Sequence, residues 1–464
     1  MQEKSSIFDF RNKISTVDTK GKRKWMYVLP SKGKLTSLRY IFNTIYLILF
    51  FSMPFIKVNG KPFLQFDIIK AKFSIFGKVF LPQDAVIFGA GMLVFLLFII
   101  VFTLIFGRVF CGWACPQTVF LEFVFRKIEY RIEGSAQKQQ KANESKWTTE
   151  IYIRKTIKHV IFFIIAFLVT NTFLSYIIGI DDLFQIMTEP ISMHIGGFIA
   201  IMFFTVAFYC VFAFVREIVC TVICPYGRLQ SVLLDKNSIV VAYDYNRGEP
   251  RGKSSRDTTE IKGDCIDCNL CVKVCPTGID IRNGTQLECV NCTACIDACN
   301  VVMKKVNKPL NLIRYYTENN LEKNEKFQVT YRIKAYTAAL IVLIGVFVTL
   351  IVNREMFDAT LLRVPGQSLQ ENTDGTISNL FRIKIVSKSY KTEPYKLEVN
   401  RLDAVIVYVG NHLDSLKSGV VSEETFFVKI PKGNITKRKE KIKVNVISNG
   451  ELILSKKVTF LGQY

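Results

Sequence analysis

Eight cysteines between Cys265 and Cys299 form two copies of one spacing. In each copy three cysteines stand three residues apart, and a fourth follows four residues later, which is the ligand pattern of a ferredoxin with two 4Fe-4S clusters. In that pattern the fourth cysteine of each run binds the other cluster. The predicted ligands are Cys265, Cys268, Cys271 and Cys299 for the first cluster, and Cys289, Cys292, Cys295 and Cys275 for the second.

A structural zinc site is the alternative, because cysteines with two residues between them are also typical of zinc knuckles. A zinc knuckle supplies two ligands, however, whereas each run here supplies three cysteines and then a fourth. Cys275 is followed by Pro276, as in bacterial ferredoxins, and Cys299 is followed by Asn300. The spacing therefore favours single-electron transfer through two clusters.

Four of the remaining five cysteines belong to an internal repeat, in which Cys-x3-Cys-Pro follows an apolar stretch at Cys111 and again at Cys220. Cysteines four apart on a helix share one face. The proline suits the first turn of a new helix, so Cys115 and Cys224 are predicted at helix starts, where free N–H groups favour thiolate. Soft thiolates select Cu(I), zinc or iron–sulfur centres, and of these copper gives a reason for a neighbouring ferredoxin. We predict that Cys111, Cys115, Cys220 and Cys224 bind copper and act as the catalytic cysteines.

Other residues with reactive side chains have simpler explanations. Cys210 is interpreted as a small apolar residue in a membrane helix. Trp113 is assigned to the aromatic belt at the membrane interface. His159 and His194 are expected near opposite membrane faces, where each would have a structural role.

Five apolar stretches can cross a hydrocarbon core of about 30 Å as helices. Half of the 464 residues are hydrophobic and 38 are phenylalanine, as expected for a chain in contact with membrane lipid. The expected spans are residues 38–55, 84–106, 157–180, 194–220 and 335–352.

Basic residues predict the orientation of these spans. Residues 1–36 and 107–155 carry nine Lys and Arg each, and residues 181–193 carry none, which places the N-terminus and the clusters in the cytoplasm. The same distribution accounts for the net charge of +22 without nucleic-acid binding. Residues 57–83 carry five lysines, which argues mildly against this orientation, and their Phe and Ile content suggests a position along the membrane interface. An odd number of spans then places the C-terminal region in the periplasm.

The C-terminal region, from about residue 353, contains six short apolar stretches separated by polar turns, a pattern typical of a β-sandwich. They are residues 381–386, 395–399, 404–409, 425–430, 442–447 and 452–460. Its acidic residues, among them Glu423 and Glu424, are interpreted as a solvated face, and His412 as a loop residue.

The expected fold is therefore a multi-domain membrane protein, with an α-helical bundle of about five spans, an α+β double-cluster ferredoxin domain and a C-terminal immunoglobulin-like β-sandwich. The domains are a basic cytoplasmic segment at 1–36, a four-span membrane domain at 37–225, the ferredoxin domain at 226–332, a fifth span at 333–352 and the external sandwich at 353–464.

Several longer motifs resemble one known family, the membrane-bound cytochrome c oxidase accessory proteins of the FixG/CcoG type. The resemblance covers nearly the whole chain. It is carried by Cys111-Gly-Trp-Ala-Cys115-Pro-Gln-Thr-Val, Arg131-Ile-Glu-Gly, Cys224-Pro-Tyr-Gly-Arg-Leu-Gln-Ser-Val, Arg247-Gly-Glu-Pro-Arg-Gly, Gly263-Asp-Cys265-Ile-Asp-Cys268, Cys275-Pro-Thr-Gly-Ile-Asp-Ile-Arg and Leu312-Ile-Arg-Tyr-Tyr-Thr-Glu.

This resemblance implies a polyferredoxin-like copper reductase of the bacterial inner membrane, which reduces Cu(II) to Cu(I) for assembly of cbb3-type cytochrome c oxidase. The implied partners are a copper donor, oxidase assembly factors and a cytosolic electron donor of unknown identity. The same resemblance supports the four Cys-x3-Cys-Pro cysteines as the copper site. The sequence leaves open whether they form one site, and whether the protein is a homo-oligomer.

Two other functions compete with this one. Four-span quinol dehydrogenase subunits have similar Cys-x3-Cys-Pro motifs and double clusters, and would pass electrons to an external acceptor, although the fifth span and the sandwich argue against that class. A non-catalytic scaffold for oxidase assembly is the other alternative. In such a protein the clusters would serve the structure and would not need to exchange electrons.

Overall fold

The structure is a computed structural model that forms two compact units. One unit contains the described part of Met1–Ile56 together with Phe88–Phe347, and the other contains Lys57–Ile87 and Val348–Tyr464. The basic residues predicted before position 23 lie outside the described part of the chain. The described residues are 23–58, 60–68, 72–252, 262–323, 325–355, 357–364, 366, 369–388, 392–410, 412–416, 421–448 and 450–462.

Helices make up most of the first unit, and several of them are interrupted by π-helical turns close to the Cys-x3-Cys-Pro motifs. The α-helices are α1 Lys34–Ser52, α2 Ala85–Phe106, α3 Val109–Trp113, α4 Pro116–Val119, α5 Arg126–Ile132, α6 Ala136–Glu144, α7 Thr149–Ile178, α8 Ile180–Thr188, α9 Ile195–Cys210, α10 Pro225–Leu233, α11 Tyr245–Gly248, α12 Leu270–Lys273, α13 Ala294–Lys305, α14 Glu318–Lys323 and α15 Tyr331–Val352. The π-helical turns are Phe120–Phe125, Val211–Val215 and Val219–Ile223.

Five helices in the described part of the chain are long and apolar enough to cross a membrane, which confirms the predicted number of spans. They are Lys34–Phe55, Ala85–Phe106, Thr149–Ile178, Ile195–Val215 and Tyr331–Val352. The fourth was expected to continue to residue 220. It ends earlier because Arg216 has a φ of 54°, in the left-handed region, and this breaks the helix.

The third and fourth spans pack against each other through apolar side chains. Phe162 on α7 and Phe212 after α9 are both almost fully buried, and Phe125 stacks on Phe212 with ring centroids 4.6 Å apart. In the second span Gly91 lies under Phe347 of the fifth, where an added Cβ would be 3.1 Å from the phenyl ring. Close packing at small residues is typical of membrane helices.

A network of buried ion pairs holds the ends of these helices. Glu129 on α5 accepts two hydrogen bonds from Arg216, at 3.0 and 2.9 Å, and lies 3.6 Å from Lys158 on α7. Glu217 pairs with Arg126 at 3.4 Å. Each of these charges is compensated by a partner, as buried charges must be.

The ferredoxin region is a small α+β domain. Strand Val240–Tyr243 pairs with strand Ile313–Tyr316 in antiparallel register, so the two ends of the region are joined. Residues Val241, Ile279, Ile281, Ile296 and Leu312 form its core together with cluster cysteines Cys265 and Cys271.

The N-terminal segment packs on the ferredoxin region and on the loop after the second span. The Leu29 N–H donates to the Lys273 carbonyl at 2.8 Å, and the Tyr130 hydroxyl donates to the Val28 carbonyl at 2.6 Å. The Thr36 N–H donates to Asp297 at 2.6 Å. These three segments therefore lie on the same side of the spans.

The second unit contains two packed β-sheets, which confirms the predicted sandwich. Strands are numbered along the whole chain, and β6 Val240–Tyr243 and β7 Ile313–Tyr316 are the two strands of the ferredoxin region. The strands of the second unit are β1 Lys57–Val58, β2 Lys61–Pro62, β3 Leu64–Asp67, β4 Lys72–Ile75, β5 Lys78–Phe80, β8 Phe357–Arg363, β9 Gln370–Glu371, β10 Thr376–Ser387, β11 Glu393–Pro394, β12 Lys396–Val399, β13 Val405–Tyr408, β14 Ser415–Leu416, β15 Val421–Pro431, β16 Lys439–Ser448 and β17 Glu451–Leu461. One sheet has the order β13-β15-β10-β8 with β9 on β10, and the other has the order β12-β16-β17. Phe381, Phe426 and Phe460 are fully buried in its core.

The six predicted apolar stretches all fall on strands, and strand β8 was missed because its sequence does not alternate regularly. The described residues of 57–83 form short strands that belong to the same compact unit as the sandwich, and their position along the membrane interface stays a prediction. Within that unit Asp84 pairs at 2.6 Å with both Arg354 and Lys388. The loop and the C-terminal region therefore belong to one unit, as expected if both lie on the same side of the membrane.

One acidic residue was wrongly assigned to a solvated face. Glu424 is 6% exposed, and its carboxylate accepts from the Leu413 N–H at 2.6 Å and lies 2.9 Å from the His412 ring nitrogen. His412 also stacks on Tyr408, with ring centroids 4.1 Å apart. The alternation of the strand could have indicated this burial, since position 424 shares a face with Phe426.

Candidate electron-transfer centre

The first predicted set of ligands surrounds one cavity. Cys265, Cys268, Cys271 and Cys299 all line one small space within the ferredoxin region. The charge of Cys299 interacts with those of Cys265 and Cys268. The three cysteines of one run and the last cysteine of the other therefore meet, which is the arrangement that the sequence predicted for the first cluster.

The second set surrounds a second cavity of similar size, lined by Cys275, Cys289, Cys292 and Cys295. Cys271 of the first set also lines this cavity, so the two spaces are neighbours. The donor chemistry of both cavities fits a 4Fe-4S cluster, because each offers four thiols and otherwise mainly apolar walls.

The backbone bends around the middle cysteine of each run in the same way. Asp267 and Asn269 have φ values of 53° and 56°, and at the equivalent positions Asn291 and Thr293 have 53° and 66°. Asp and Asn tolerate this left-handed region better than most residues. Helices α12 and α13 begin directly after Asn269 and Thr293, which places the third cysteine of each run in a first helical turn.

Burial sets the protonation of these thiols in the absence of metal. Burial first, and then neighbouring cysteines of the same set, raise the pKa of Cys271, Cys289 and Cys299 to about 12. Four such thiols cannot all ionise without a compensating cation. Metal ligation must therefore displace protons, and the bound irons would supply the missing positive charge.

The structure brings the two Cys-x3-Cys-Pro motifs together. The charge of Cys220 interacts with those of Cys111 and Cys115, and the charge of Cys224 interacts with both of the latter. The four cysteines thus form one group at the ends of the second and fourth spans. That this group binds copper stays a prediction.

Both proline-linked cysteines occupy the predicted positions before a helix. Cys115 precedes Pro116 of α4, and Cys224 precedes Pro225 of α10 and accepts from the Gly227 N–H at 3.4 Å. The expected gain for thiolate is outweighed at Cys115, where burial raises the pKa although the Thr118 and Gln117 N–H groups lower it. The pKa of Cys220 is raised to about 12, by burial first and then by the neighbouring thiolates.

Two residues that sequence reasoning missed hold these thiols. The Thr118 hydroxyl lowers the pKa of both Cys115 and Cys220, which shows that it lies beside both motifs. The Cys111 thiol donates to Gln230 at 2.9 Å, and Gln230 is fully buried, with a further bond to Tyr226 at 2.7 Å. Both residues stand within the longer motifs, Thr118 in the motif that begins at Cys111 and Gln230 in the motif that begins at Cys224. Only their burial distinguishes them from the other residues of these motifs.

The four-cysteine group packs directly against the second cluster site. Cys111 belongs to one hydrophobic cluster with Val290, Cys292 and Cys295. A Cβ added to Gly112 would lie 2.4 Å from the Val290 carbonyl oxygen and 2.9 Å from the Cys292 Cα. Glycine is therefore required at this position for the two groups of cysteines to approach.

A buried cation lies between the two groups. Arg108 is 3% exposed, its charge acts on Cys111, Cys220 and Cys289, and its guanidinium donates to the carbonyls of Leu287 and Cys220. No carboxylate pairs with it in the described part of the chain. Arg108 stands three residues before Cys111, and Arg216 stands four residues before Cys220. Arg216 pairs with Glu129, however, so only Arg108 acts on the cysteines.

Other residues singled out from the sequence lie apart from this centre or have a different role. Trp113 lies beside Tyr315 of the ferredoxin region, and its assignment to the aromatic belt stays a prediction. His159 hydrogen-bonds Tyr209 at 2.9 Å, and His194 bonds Glu189 at 2.6 Å, which agrees with separate structural roles.

The described residues contain no group of three or more His, Cys, Asp or Glu side chains placed to hold a single metal ion. For the ferredoxin cysteines this is expected, because a cubane distributes four ligands over four irons.

The fold and this centre define a membrane-embedded iron–sulfur electron-transfer protein with a double-cluster ferredoxin domain. Comparison with known families agrees. The 4Fe-4S dicluster domain matches residues 215–318, a second 4Fe-4S binding domain matches residues 88–133, and the IG-like fold at the C-terminus of FixG matches residues 347–463.

Curated relatives extend the similarity over most of the chain. Protein RdxA of Cereibacter sphaeroides is 32% identical over 72% of each chain, and protein RdxB of the same organism is 30% identical over 82% of each. The nitrogen fixation protein FixG of Rhizobium meliloti is 26% identical over 90% of this chain and 89% of the relative. This chain belongs to the FixG family.

Proposed function

We propose that this protein is a cupric reductase that supplies Cu(I) for assembly of cbb3-type cytochrome c oxidase. The substrate Cu(II) would bind at Cys111, Cys115, Cys220 and Cys224. The observation that carries the proposal is the contact of Gly112 with the Cys292 backbone, because it places these thiols directly beside a cluster ligand.

The chemistry requires one electron for each copper ion, and a bound 4Fe-4S cluster supplies electrons singly. The protein contributes a soft ligand set, since thiolates favour Cu(I) over Cu(II). Gln230 fixes the position of Cys111, and Thr118 lies beside both cysteine pairs. Because burial keeps Cys111 and Cys220 protonated in the absence of metal, binding of copper would release thiol protons.

The proposed location is the bacterial inner membrane, with the clusters in the cytoplasm and the sandwich in the periplasm. The Lys and Arg distribution supports this orientation. So does the packing of the N-terminal segment, the loop containing Tyr130 and the ferredoxin region on one side of the spans. The proposed partners are a copper donor and assembly factors of the oxidase.

The test is anaerobic reduction of copper by purified protein. Protein with both clusters filled is reduced, freed of excess reductant and mixed with Cu(II), and Cu(I) is measured with a chromogenic chelator. We expect about two Cu(I) per chain, one for each cluster. A variant with serine at all four motif cysteines should keep its iron and lose at least about 90% of the rate, which corresponds to about 1.4 kcal/mol or more in the barrier.

Cys210→Ser is the matched control, because Cys210 lies in the fourth span outside the cysteine group and should be replaced without effect. The proposal fails if the four-serine variant reduces copper as fast as the unmodified protein, or if reduced protein yields no Cu(I).

A third iron–sulfur cluster at the same four cysteines is the second candidate. One observation favours it: a 4Fe-4S binding domain matches residues 88–133, which contain Cys111 and Cys115. Metal analysis separates the two candidates. Two clusters give about 8 irons per chain and three give about 12, and the four-serine variant would lose iron only in the second case.

A further inference from the structure

A third cavity opens beside the second cluster site. It is separate from the four-cysteine group and is larger than the two cluster spaces. Its volume is about 490 Å³, within the usual range for small-molecule sites. Cys289, a predicted cluster ligand, forms part of its wall, together with Arg108 and Asn291. A molecule bound here would therefore touch the protein next to a cluster.

Two buried hydrogen-bond donors on this wall have no partner in the described part of the chain. They are Nε of Arg108 and Nδ2 of Asn291, and the two residues are 3% and 2% exposed. The Asn291 side-chain oxygen is already used, because it accepts from the Val241 N–H at 3.2 Å. Buried donors without acceptors are costly, so the cavity is suited to a ligand that brings acceptor oxygens.

The remaining walls specify more of the ligand. Leu234, Val240 and Leu287 give apolar surface, which suits a ring. Asp235, Glu288 and Glu318 also line this cavity, together with the cations Arg108 and Lys236. Positive and negative side chains nearly balance, so a phosphate or another anion gains little here. The cavity therefore fits an uncharged ring that carries oxygen atoms.

The cavity also lies at the end of a membrane span. Its wall segment is fixed to the last turn of the second span, because the Ser238 hydroxyl donates to the Leu104 carbonyl and the Ile239 N–H donates to the Ile105 carbonyl, both at 2.9 Å. Leu287 on the rim is 55% exposed. The cavity therefore lies at the level where the second span ends, within reach of a molecule held at the membrane surface.

From these observations we propose that the cavity binds the ring of a membrane quinol, which acts as the electron donor of this protein. The quinol loses two electrons and two protons and becomes quinone. One electron goes to each cluster, and the protons leave through the open side past Asp235 and Glu288. The inference rests on the proposed function only for the destination of the electrons. The two electrons of one quinol would reduce two copper ions.

The test measures cluster reduction with no copper present, so that failure of copper reduction does not affect it. Protein with both clusters filled is placed in lipid nanodiscs and mixed anaerobically with a short-chain naphthoquinol, and the loss of cluster absorbance is followed. We expect reduction by quinol, slowed at least about tenfold in Leu234→Trp, because the indole fills the cavity from a residue that binds no cluster.

Val232→Trp is the matched control. Val232 lies two residues earlier at the end of α10, is 83% exposed and does not line the cavity. Both variants should keep their iron and be reduced by dithionite at the unmodified rate, which separates a blocked cavity from a damaged cluster. Equal quinol rates in the two variants, or no reduction of the unmodified protein by quinol, would overturn the proposal.

A second readout requires no electron transfer. A photoreactive azidoquinone should label peptides containing Leu234 or Leu287 in the unmodified protein, and this labelling should be lost in Leu234→Trp. Labelling confined to the membrane spans would overturn the assignment. Reduced flavin mononucleotide is the soluble comparison: if it reduces the clusters in a Leu234→Trp-sensitive manner and quinol does not, the occupant is a flavin and the quinol assignment is wrong.

Discussion

Gly112 of the first Cys-x3-Cys-Pro motif lies against the backbone of Cys292, a predicted ligand of the second cluster. A side chain at position 112 would meet the Cys292 Cα at 2.9 Å and the Val290 carbonyl oxygen at 2.4 Å. The contact consists of backbone on both sides, so it cannot be relieved by rotating a side chain. It joins the two groups of cysteines through the residue next to Cys111.

Gly112→Ala should therefore separate these groups. The added methyl must displace backbone, and overpacking of this kind costs about 1–3 kcal/mol. We expect both clusters to be retained and their reoxidation by Cu(II) to slow at least about tenfold, measured by stopped-flow absorbance of the reduced protein. Gly89→Ala is the control, because a Cβ at that position in the second span would have no atom within 4 Å. Unchanged reoxidation in Gly112→Ala would show that the contact does not matter for electron transfer.

Arg108 should tune the second cluster. Its buried charge acts on Cys289, and removing a positive charge disfavours the added electron. Arg108→Gln is expected to lower the reduction potential of the second cluster by about 60 mV or more, a tenfold change for a one-electron couple. A redox titration followed by electron paramagnetic resonance measures this change. The first cluster should stay unchanged, and Arg108→Lys, which keeps the charge, should restore most of the potential; equal potentials in all three proteins would contradict this role.

The exchanged fourth ligands predict different losses for two cysteine variants. Cys275→Ser should lose the second cluster and Cys299→Ser the first, because each cysteine lines the cavity of the other run. Iron content should fall from about 8 to about 4 per chain in both. Rapid oxidation by Cu(II) should survive in Cys299→Ser and fail in Cys275→Ser, since only the second cavity adjoins Cys111. The opposite result would reverse the assignment.

Asp84 should make the second unit sensitive to acid. Burial would raise its pKa, but hydrogen bonds from Arg354 and Lys388 outweigh this and hold the pKa below the usual value of 3.8. A lowered carboxyl pKa contributes stability above the unfolded pKa of about 3.9, and that stability is lost as pH falls through the lower folded value. Hydrogen exchange of strands β3 to β5 should therefore increase below about pH 4.

The matched variant for that measurement is Asp84→Asn, which should show the faster exchange already at pH 7 and little further change in acid. Leaving Arg354 and Lys388 without their partner should cost about 3–5 kcal/mol, as for other broken buried ion pairs. Glu371→Gln removes an exposed pair with Lys432 and should change little. Retention of normal exchange by Asp84→Asn at pH 7 would exclude a stabilising role for these pairs.

The sequence by itself determined the parts that depend on local spacing. The spacing within the two cysteine runs predicted the cluster ligands, because this spacing is a local property of the chain. The lengths of the apolar stretches predicted the five spans, because a spanning helix must match the thickness of the hydrocarbon core. The alternating stretches of the C-terminal region predicted six strands, since period two is a local property. Glu424 shows the limit, because its burial depends on which face of the strand a neighbouring sheet covers.

Only the tertiary structure decided how these parts meet. The approach of Gly112 to Cys292 joins residues 180 positions apart, and no local pattern encodes such a distance. Arg108 and Arg216 stand shortly before the first cysteine of their motifs, yet only Arg216 forms an ion pair with Glu129. The packing around Glu129 decides which arginine is paired. The cavity beside Cys289 is likewise formed by the packing of separate segments. Spacing along the chain specifies what each segment can bind, and packing between segments specifies where the electrons can go.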